Sequence, residues 1–598
     1  MHEIFTELDQ DGSINAYQQA ANRLAEGGGW GGRPLTIALL SSFVVNPYLP
    51  TLTVEAARFG FEARCWVAPF DNVIQELIDP ASATVRGGYD VALIMRTLHA
   101  ACPPLATRFL ALSPQEVDRL IAGQVEELVT ALRRFREQTA TVVIVHGFAL
   151  PAHPLLGILE GSVENSQTEA IRRLNAALSR EVRAIPGVHY LDHDRVCARV
   201  GHANSQDDKW WYMARAPLSA RLMPELAREQ AIFFHALWGR VRKCLVLDLD
   251  NTLWGGVIGE DGMAGIALGH TGLGLVFREF QESVLALHRR GVLLAIASKN
   301  NFDDAFAVLR DHPEMVLRPE LFAAMRIDWR PKPENILEIA RELNIGVDSL
   351  VFWDDSPQER LWMRAARPEV LTPELPTDPM LYSERLRRLG VFDKLSLTGE
   401  DLKRGEMYRD QARRDQLRAG TDSLEAFYHG LAMRVTIQPA EEMTFARVLD
   451  LIHKTNQFNL STRRHDAQTL RGFLADPACG VFAMRVADKF GDNGLVGVAI
   501  VRHAGEMVEL DTLLMSCRVI GRTVERALLT HLFAWSRQRG ATRMEADFIP
   551  TAKNQPVARF LPEHGFTEMS RNGSSSRWAC DLTTVTLSWP DYIERGMA

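Results

Sequence analysis

Apolar residues along the chain gather into short continuous runs, separated by longer stretches in which they recur at helical spacing. Runs at 35–42, 63–67, 90–95 and 141–146 read as strands, with helices predicted over 49–59 and 114–138. Continuous apolar runs of this length suit strands buried on both faces, and their alternation with helices predicts a doubly wound α/β domain. The pattern resumes at 243–248, 291–298 and 349–355, with a helix over 334–343. It changes after 433. Strands at 481–486 and 495–501 flank Asp492-Asn493-Gly494, a hairpin turn signal. A strand at 506–515, a helix at 523–538, a strand at 542–548 and a helix at 555–563 follow.

These elements predict an α/β multidomain chain. Residues 1–32 form a helical lead-in ending in a glycine-rich joint, and 33–238 the first α/β domain. Residues 239–372 form a second, Rossmann-like one. Residues 373–432 are a helical linker, highly charged at 400–419; 433–585 are an α+β domain and 586–598 a tail. A chain of 598 residues is too long for one core.

Composition narrows the class. A net charge of −8 does not suggest nucleic acid, and seven cysteines without a CxxC pair suggest neither a disulfide frame nor a zinc site. No apolar run reaches a membrane span, and the opening Met-His-Glu-Ile-Phe-Thr-Glu has no basic-then-apolar leader. A cytoplasmic protein with no membrane partner is expected.

The chemistry concentrates at strand ends. The run through Leu247 ends in Asp248, with Asp250 and Thr252 at alternate positions after it. In parallel sheets ligands sit beyond the carboxyl ends of the strands. Two carboxylates that close need a cation or a shared proton, and Mg²⁺ is the natural guest. Ser298 ends the next run and Lys299 follows it; Lys332 precedes a helix, and Asp354 and Asp355 end the last strand. Phosphoryl transfer needs a nucleophile, a metal, and groups that hold phosphoryl oxygens, and all are present in order.

Asp248-x-Asp250-x-Thr252, with Ser298, Lys332 and Asp354-Asp355, resembles the motif set of the haloacid-dehalogenase (HAD) phosphohydrolases. The resemblance implies Asp248 as nucleophile and Asp250 as general acid/base. It implies Mg²⁺ held by Asp248, Asp250 through its backbone, Asp354 and Asp355, with Thr252, Ser298, Lys299 and Lys332 on the phosphate. The segment 254–274 is long enough for a β-hairpin flap and too short for a cap domain. The first domain resembles SGNH hydrolases but is expected to be degenerate: Ser41 or Ser42 would be the nucleophile, Asp192, His193 or Asp207 its partners, and no Gly-Asp-Ser turn is present. Trp210-Trp211-Tyr212 reads as an aromatic patch for a partner, or as core.

The last domain resembles the GNAT acyltransferases, with 517–522 in place of the pyrophosphate loop and Arg518 and Arg522 on phosphate. Leu561 stands where many such enzymes have a tyrosine. Cys517, expected at a helix N-terminus beside two arginines, is read as a nucleophile of lowered pKa, and Cys244 as its rival. The whole arrangement resembles the FkbH-like proteins, most specifically in the first HAD motif and at 455–463, 515–522 and 550–554. That resemblance implies an enzyme for polyketide biosynthesis. It would take 1,3-bisphosphoglycerate, remove phosphate at Asp248 and load glyceryl, through a Cys517 thioester, onto the phosphopantetheine arm of an acyl carrier protein. Two alternatives are a Mg²⁺-dependent phosphatase whose tail only binds a partner, and a CoA-dependent acyltransferase.

Overall fold

The computed structural model describes residues 2–26, 31–238, 241–397, 410, 414, 417–418, 420–421, 423–551 and 553–596. The chain is a multidomain α/β protein that divides into two compact units, Met1–Arg240 and Val241–Ala598. The charged helix predicted over 400–419 lies almost wholly outside the described residues.

In the first unit β1 (Arg33–Ser41), β2 (Phe61–Val67), β3 (Val91–Met95), β4 (Val142–His146) and β5 (Val188–Leu191) form a parallel sheet in the order β2-β1-β3-β4-β5. The order reverses beside β1, as in a doubly wound sheet. The interiors of β1, β3 and β4 are nearly all aliphatic and buried, as expected of central strands covered on both faces. The helix Pro114–Gln138 starts at a capping box, in which Ser113 and Glu116 satisfy each other's backbone N–H. The amino-terminal helices His2–Gln10 and Ile14–Glu26 are part of this unit: Ile4, Leu8, Tyr17 and Leu24 pack on Val54 and Ala57.

The second unit begins with a four-stranded parallel sheet, β8-β7-β6-β9, made of β6 (Cys244–Leu247), β7 (Leu293–Ser298), β8 (Phe322–Ile327) and β9 (Leu350–Trp353). The segment expected to be a hairpin flap is instead the helix Ile258–Gly265, tied by single bridges between Asp250 and Trp254 and between Gly255 and Ala267. Asp250 explains the difference, because its carboxylate takes the Ile258 N–H and fixes a helical turn there. The start of the expected linker also packs onto this sheet's layer. Tyr382 lies on Phe280 and Trp353 with ring centroids 5.7 and 6.2 Å away, and the Arg242 N–H donates to the Val391 carbonyl.

The carboxy-terminal sheet runs β16-β17-β15-β14-β13-β12-β10-β18, with β11 on β14. Its strands are β10 (Met433–Pro439), β11 (Phe458–Asn459), β12 (Cys479–Asp488), β13 (Gly491–Ala504), β14 (Met507–Met515), β15 (Arg543–Phe548), β16 (Thr567–Asn572), β17 (Ser575–Asp581) and β18 (Ile593–Arg595). The supposed tail therefore supplies an edge strand, β18, parallel to β10. The turn between β12 and β13 sits at Lys489-Phe490, not at Asp492-Asn493-Gly494. Asp488 sets it by accepting from the Phe490 and Gly491 N–H groups. Its carboxylate is in turn gripped by Arg414 at 2.6 Å and Arg522 at 3.3 Å in a buried cluster. β14 and β15 pair in parallel only from Met507 to Leu510 and then part, while β11 takes up β14 at Leu514 and Met515.

Candidate functional site

β6 and β9 are neighbours in register, so the residues that follow them, Asp248 and Asp354, arrive side by side. Oxygens of Asp248, Asp354 and Asp355 lie within 4.8 Å of one another, a set that could hold a metal ion. Lys332, first residue of the helix Lys332–Glu342, reaches in with its ammonium 2.8 Å from Asp248 and 2.5 Å from Asp354. All three of these side chains are buried.

Three acids around one cation leave excess negative charge. Burial and the Asp248 charge push Asp355 up to about 6, and the same causes raise Asp354 despite Lys332. Burial alone would lower Lys332, but the charges of Asp248 and Asp354 outweigh it and hold it raised. One oxygen of Asp248, Oδ1, is buried without a hydrogen-bond partner. A buried carboxylate oxygen left bare is costly unless a ligand meets it, and hard-oxygen donors of this kind suit Mg²⁺.

The loops around the acids are locked by polar contacts. Asn251 adopts a left-handed backbone, φ 51°, and its Oδ1 accepts from the Gly256 N–H, which turns the chain back over the site. Asp250 Oδ1 accepts from Trp254 Nε1 at 2.8 Å and the Ile258 N–H at 3.0 Å, and Oδ2 accepts from Asn300 Nδ2 at 3.0 Å. Its carboxylate is thus held between the start of the helix Ile258–Gly265 and Asn300, and is not one of the three clustered acids. Buried Thr252 donates to Asp355 at 3.3 Å, and buried Ser298 accepts from Asn300 at 3.2 Å. Arg360 donates to the carbonyls of both Asp354 and Asp355. Asn300 and Arg360 were not singled out in the sequence; their one signal is that each stands a few residues beyond a strand end. Lys299 goes elsewhere: its ammonium pairs with Glu359 at 2.6 Å and lies over the Trp362 ring.

The residues expected to act in the carboxy-terminal domain are placed differently. Cys517 opens the one-turn 3₁₀ helix Cys517–Val519, and its side chain lies outside what the structure describes. The long helix starts later, at Val524, so Cys517 is not at its N-terminus. Arg522 turns inward to Asp488, while Arg518 donates to Ser516 Oγ and the Asn493 carbonyl. Cys244 is fully buried within β6, and burial pushes its thiol well up, which suits a core residue.

In the first unit, Ser41 accepts from the Phe43 N–H and Ser42 from the Thr97 N–H. Asp192 and Asp207 cap helices. His193 stacks on His146 and sits 3.5 Å from Cys197, with its Nδ1 buried and unpartnered. No hydrogen bond joins either serine to His193. Trp210 and Tyr212 are exposed, while Trp211 lies under Arg215.

No family model and no curated protein matches the chain. Solved structures do. The N-terminal part of the protein BF1531 from Bacteroides fragilis, containing a phosphatase domain and complexed with Mg, is 30% identical with a TM-score of 0.58, covering 64% of this chain and 100% of that one. The chain belongs to the family of that phosphatase-domain protein, and its own phosphatase domain is HAD-like. The ribosomal-protein-S18-alanine N-acetyltransferase of Escherichia coli is 14% identical with a TM-score of 0.21, over 26% of this chain and 99% of that one. The GNAT domain of S. lividans PAT is 19% identical with a TM-score of 0.21, over 24% and 89%. Neither of these two bears on function.

Proposed function

We propose that the chain is a Mg²⁺-dependent phosphatase joined to an acyltransferase, and that the two act on one phosphorylated acyl substrate. The observation that carries the phosphatase half is the convergence of Asp248, Asp354, Asp355 and Lys332 with Asp248 Oδ1 left bare. Asp248, Asp354 and Asp355 would hold the metal, with the Asp250 backbone carbonyl. Bound Mg²⁺ neutralises charge on the phosphoryl oxygens and admits an anionic substrate to an acidic site.

The chain's own groups do the rest. Asp248 attacks phosphorus, and the bond to the leaving oxygen breaks as Asp250, oriented by Trp254, Ile258 and Asn300, delivers a proton to it. Water then cleaves the aspartyl phosphate, with Asp250 now accepting the proton. Ser298 and Lys332 hold phosphoryl oxygens, and Thr252 steadies Asp355.

The finer reading is that the substrate is 1,3-bisphosphoglycerate and that Cys517 takes glycerate from the acyl phosphate as a thioester. The phosphopantetheine thiol of an acyl carrier protein accepts it. The resemblance at 455–463, 515–522 and 550–554 supports this. Intact-protein mass spectrometry after incubation with 1,3-bisphosphoglycerate and Mg²⁺ tests it: wild type should gain a glyceryl adduct that Cys517→Ala lacks. An adduct that survives Cys517→Ala refutes the Cys517 assignment.

A further inference from the structure

The loop that delivers Lys332 to the three-acid cluster is anchored at both ends. At one end the Asp328 N–H donates to the Ser298 carbonyl at 3.1 Å; at the other the Lys332 ammonium meets Asp248. Trp329, Arg330 and Pro331 therefore arch beside the site. Trp329 is 70% exposed, which is a high value for so large an apolar side chain. Its ring is nonetheless fixed. Nε1 donates to Asn301 Oδ1 at 3.2 Å, and the Asn301 amide is oriented by its own Nδ2, which donates to Asp304 Oδ2 at 3.3 Å.

The residues after β7 tie this ring to the reaction. Buried Asn300 donates to Asp250 Oδ2 at 3.0 Å, and Asp250 is the group proposed to protonate the leaving oxygen. The leaving oxygen has to come within hydrogen-bond reach of that carboxylate, so the leaving group starts at the Asn300 wall. The next residue, Asn301, holds Trp329. Phe302, 50% exposed, opens the helix Phe302–Asp311 and stacks on Phe306 with ring centroids 5.2 Å apart. On the other side of Asn300, the Lys299 ammonium lies 5.2 Å from the centre of the Trp362 ring, which is 44% exposed. Of the four residues that follow β7, Asn300 thus holds the proton donor, and the other three hold or present aromatic rings. Single exposed apolar side chains need no explanation, but a group of them at one strand end does.

We infer that Trp329 is the leaving-group contact of the phosphatase site, selecting phosphate monoesters whose alcohol presents an uncharged, apolar or planar body. The inference rests on the phosphatase half of the proposed function. The acids, Lys332 and Ser298 engage only the metal and the phosphoryl group, and would take inorganic phosphate as readily as an ester. Discrimination between esters has to come from groups beyond Asp250, and there the chain offers ring faces. A charged alcohol would need a cation, but Arg330 is paired with Asp328 and Glu338, and Lys299 with Glu359. In the finer reading, that description fits a phosphoglyceryl thioester, uncharged beyond its hydroxyl, better than the free bisphosphate.

The test uses the full chain with Mg²⁺, p-nitrophenyl phosphate as substrate and inorganic phosphate as a competitor that has no leaving group. Wild type is compared with Trp329→Ala and Trp329→Phe. Trp329→Ala should melt at the wild-type temperature and raise KM about tenfold, the worth of one aromatic contact and the area it covers. Its kcat should stay within about twofold of wild type, because the lost contact is made equally in the ground and transition states. The inhibition constant of inorganic phosphate should stay within about twofold as well, since the phosphoryl contacts are untouched. Trp329→Phe should keep most of the wild-type affinity. An unchanged KM in Trp329→Ala, or a KM and inhibition constant that rise together, would overturn the inference and leave the phosphatase reading intact. No phosphate release by wild type would instead overturn that reading, and the role of Trp329 with it.

Discussion

The ammonium of Lys332 lies 2.5 Å from the carboxylate of Asp354, and both side chains are withdrawn from solvent. The same ammonium holds Asp248 at 2.8 Å, so one cation keeps two strand-end acids from repelling each other apart. Burying such a pair is costly, and breaking it by removing one partner is costlier still.

Lys332→Met should therefore do two kinds of damage. Thermal or urea unfolding should show a loss on the order of 3–5 kcal/mol, the usual result of leaving a buried charge unpaired. High Mg²⁺ should restore part of that stability by neutralising the same acids. Phosphatase activity should drop by at least about 100-fold, through loss of the group that binds phosphoryl oxygens.

Asp354→Asn should weaken metal binding without unfolding the chain, since it lessens the repulsion with Asp248. Isothermal titration with Mg²⁺ should show an affinity lowered by at least about tenfold, the smaller end of what supporting groups around metals contribute. Removing metal from wild type with EDTA should abolish phosphate release, and Mg²⁺ should restore it.

The first unit should respond to acid through its stacked histidines. Burial holds His193 down at about 4 and His146 well below its ordinary 6.5, against the weaker upward pull of Asp194 and Asp192 on His193. The unfolded chain thus binds more protons between about pH 6.5 and 4, so stability falls as pH drops through that window. His193 alone accounts for about 3 kcal/mol at most. Urea unfolding of His193→Gln followed across this range should give a flatter dependence than wild type.

Asp488 predicts a third stability effect. Asp488→Ala leaves Arg414 and Arg522 buried together without their common carboxylate, and removes the acceptor for the turn at Phe490 and Gly491. A loss of about 3–5 kcal/mol is expected in the carboxy-terminal domain, read by hydrogen exchange of β12 and β13. Asp492→Ala, on the exposed side, should cost under about 1 kcal/mol.

Asp248, Ser298, Lys332 and Asp354 could be singled out from sequence because each marks the end of an apolar run or the start of a helix, a one-dimensional signal. What brings them together is the parallel register of β6, β7 and β9, which such runs imply. Asn300 and Arg360 escaped notice because their work is to hold other polar groups, and that depends on register and rotamer. β8 escaped because its half-exposed Met325 and Arg326 interrupt the apolar pattern. At Asp492-Asn493-Gly494 a strong local turn signal lost to Asp488, whose buried arginine partners come from positions 34 and 74 residues away. The same partner draws the Arg522 side chain to the buried Asp488. Long-range charge pairing of this kind leaves no local trace.

The proposed phosphatase reaction depends on Asp248 acting as its nucleophile. Release of inorganic phosphate from p-nitrophenyl phosphate, with and without Mg²⁺, by wild type and Asp248→Asn tests it most directly. Wild type should release phosphate only with Mg²⁺ and the variant none above background, with both proteins equally folded. Release by Asp248→Asn at the wild-type rate would contradict it.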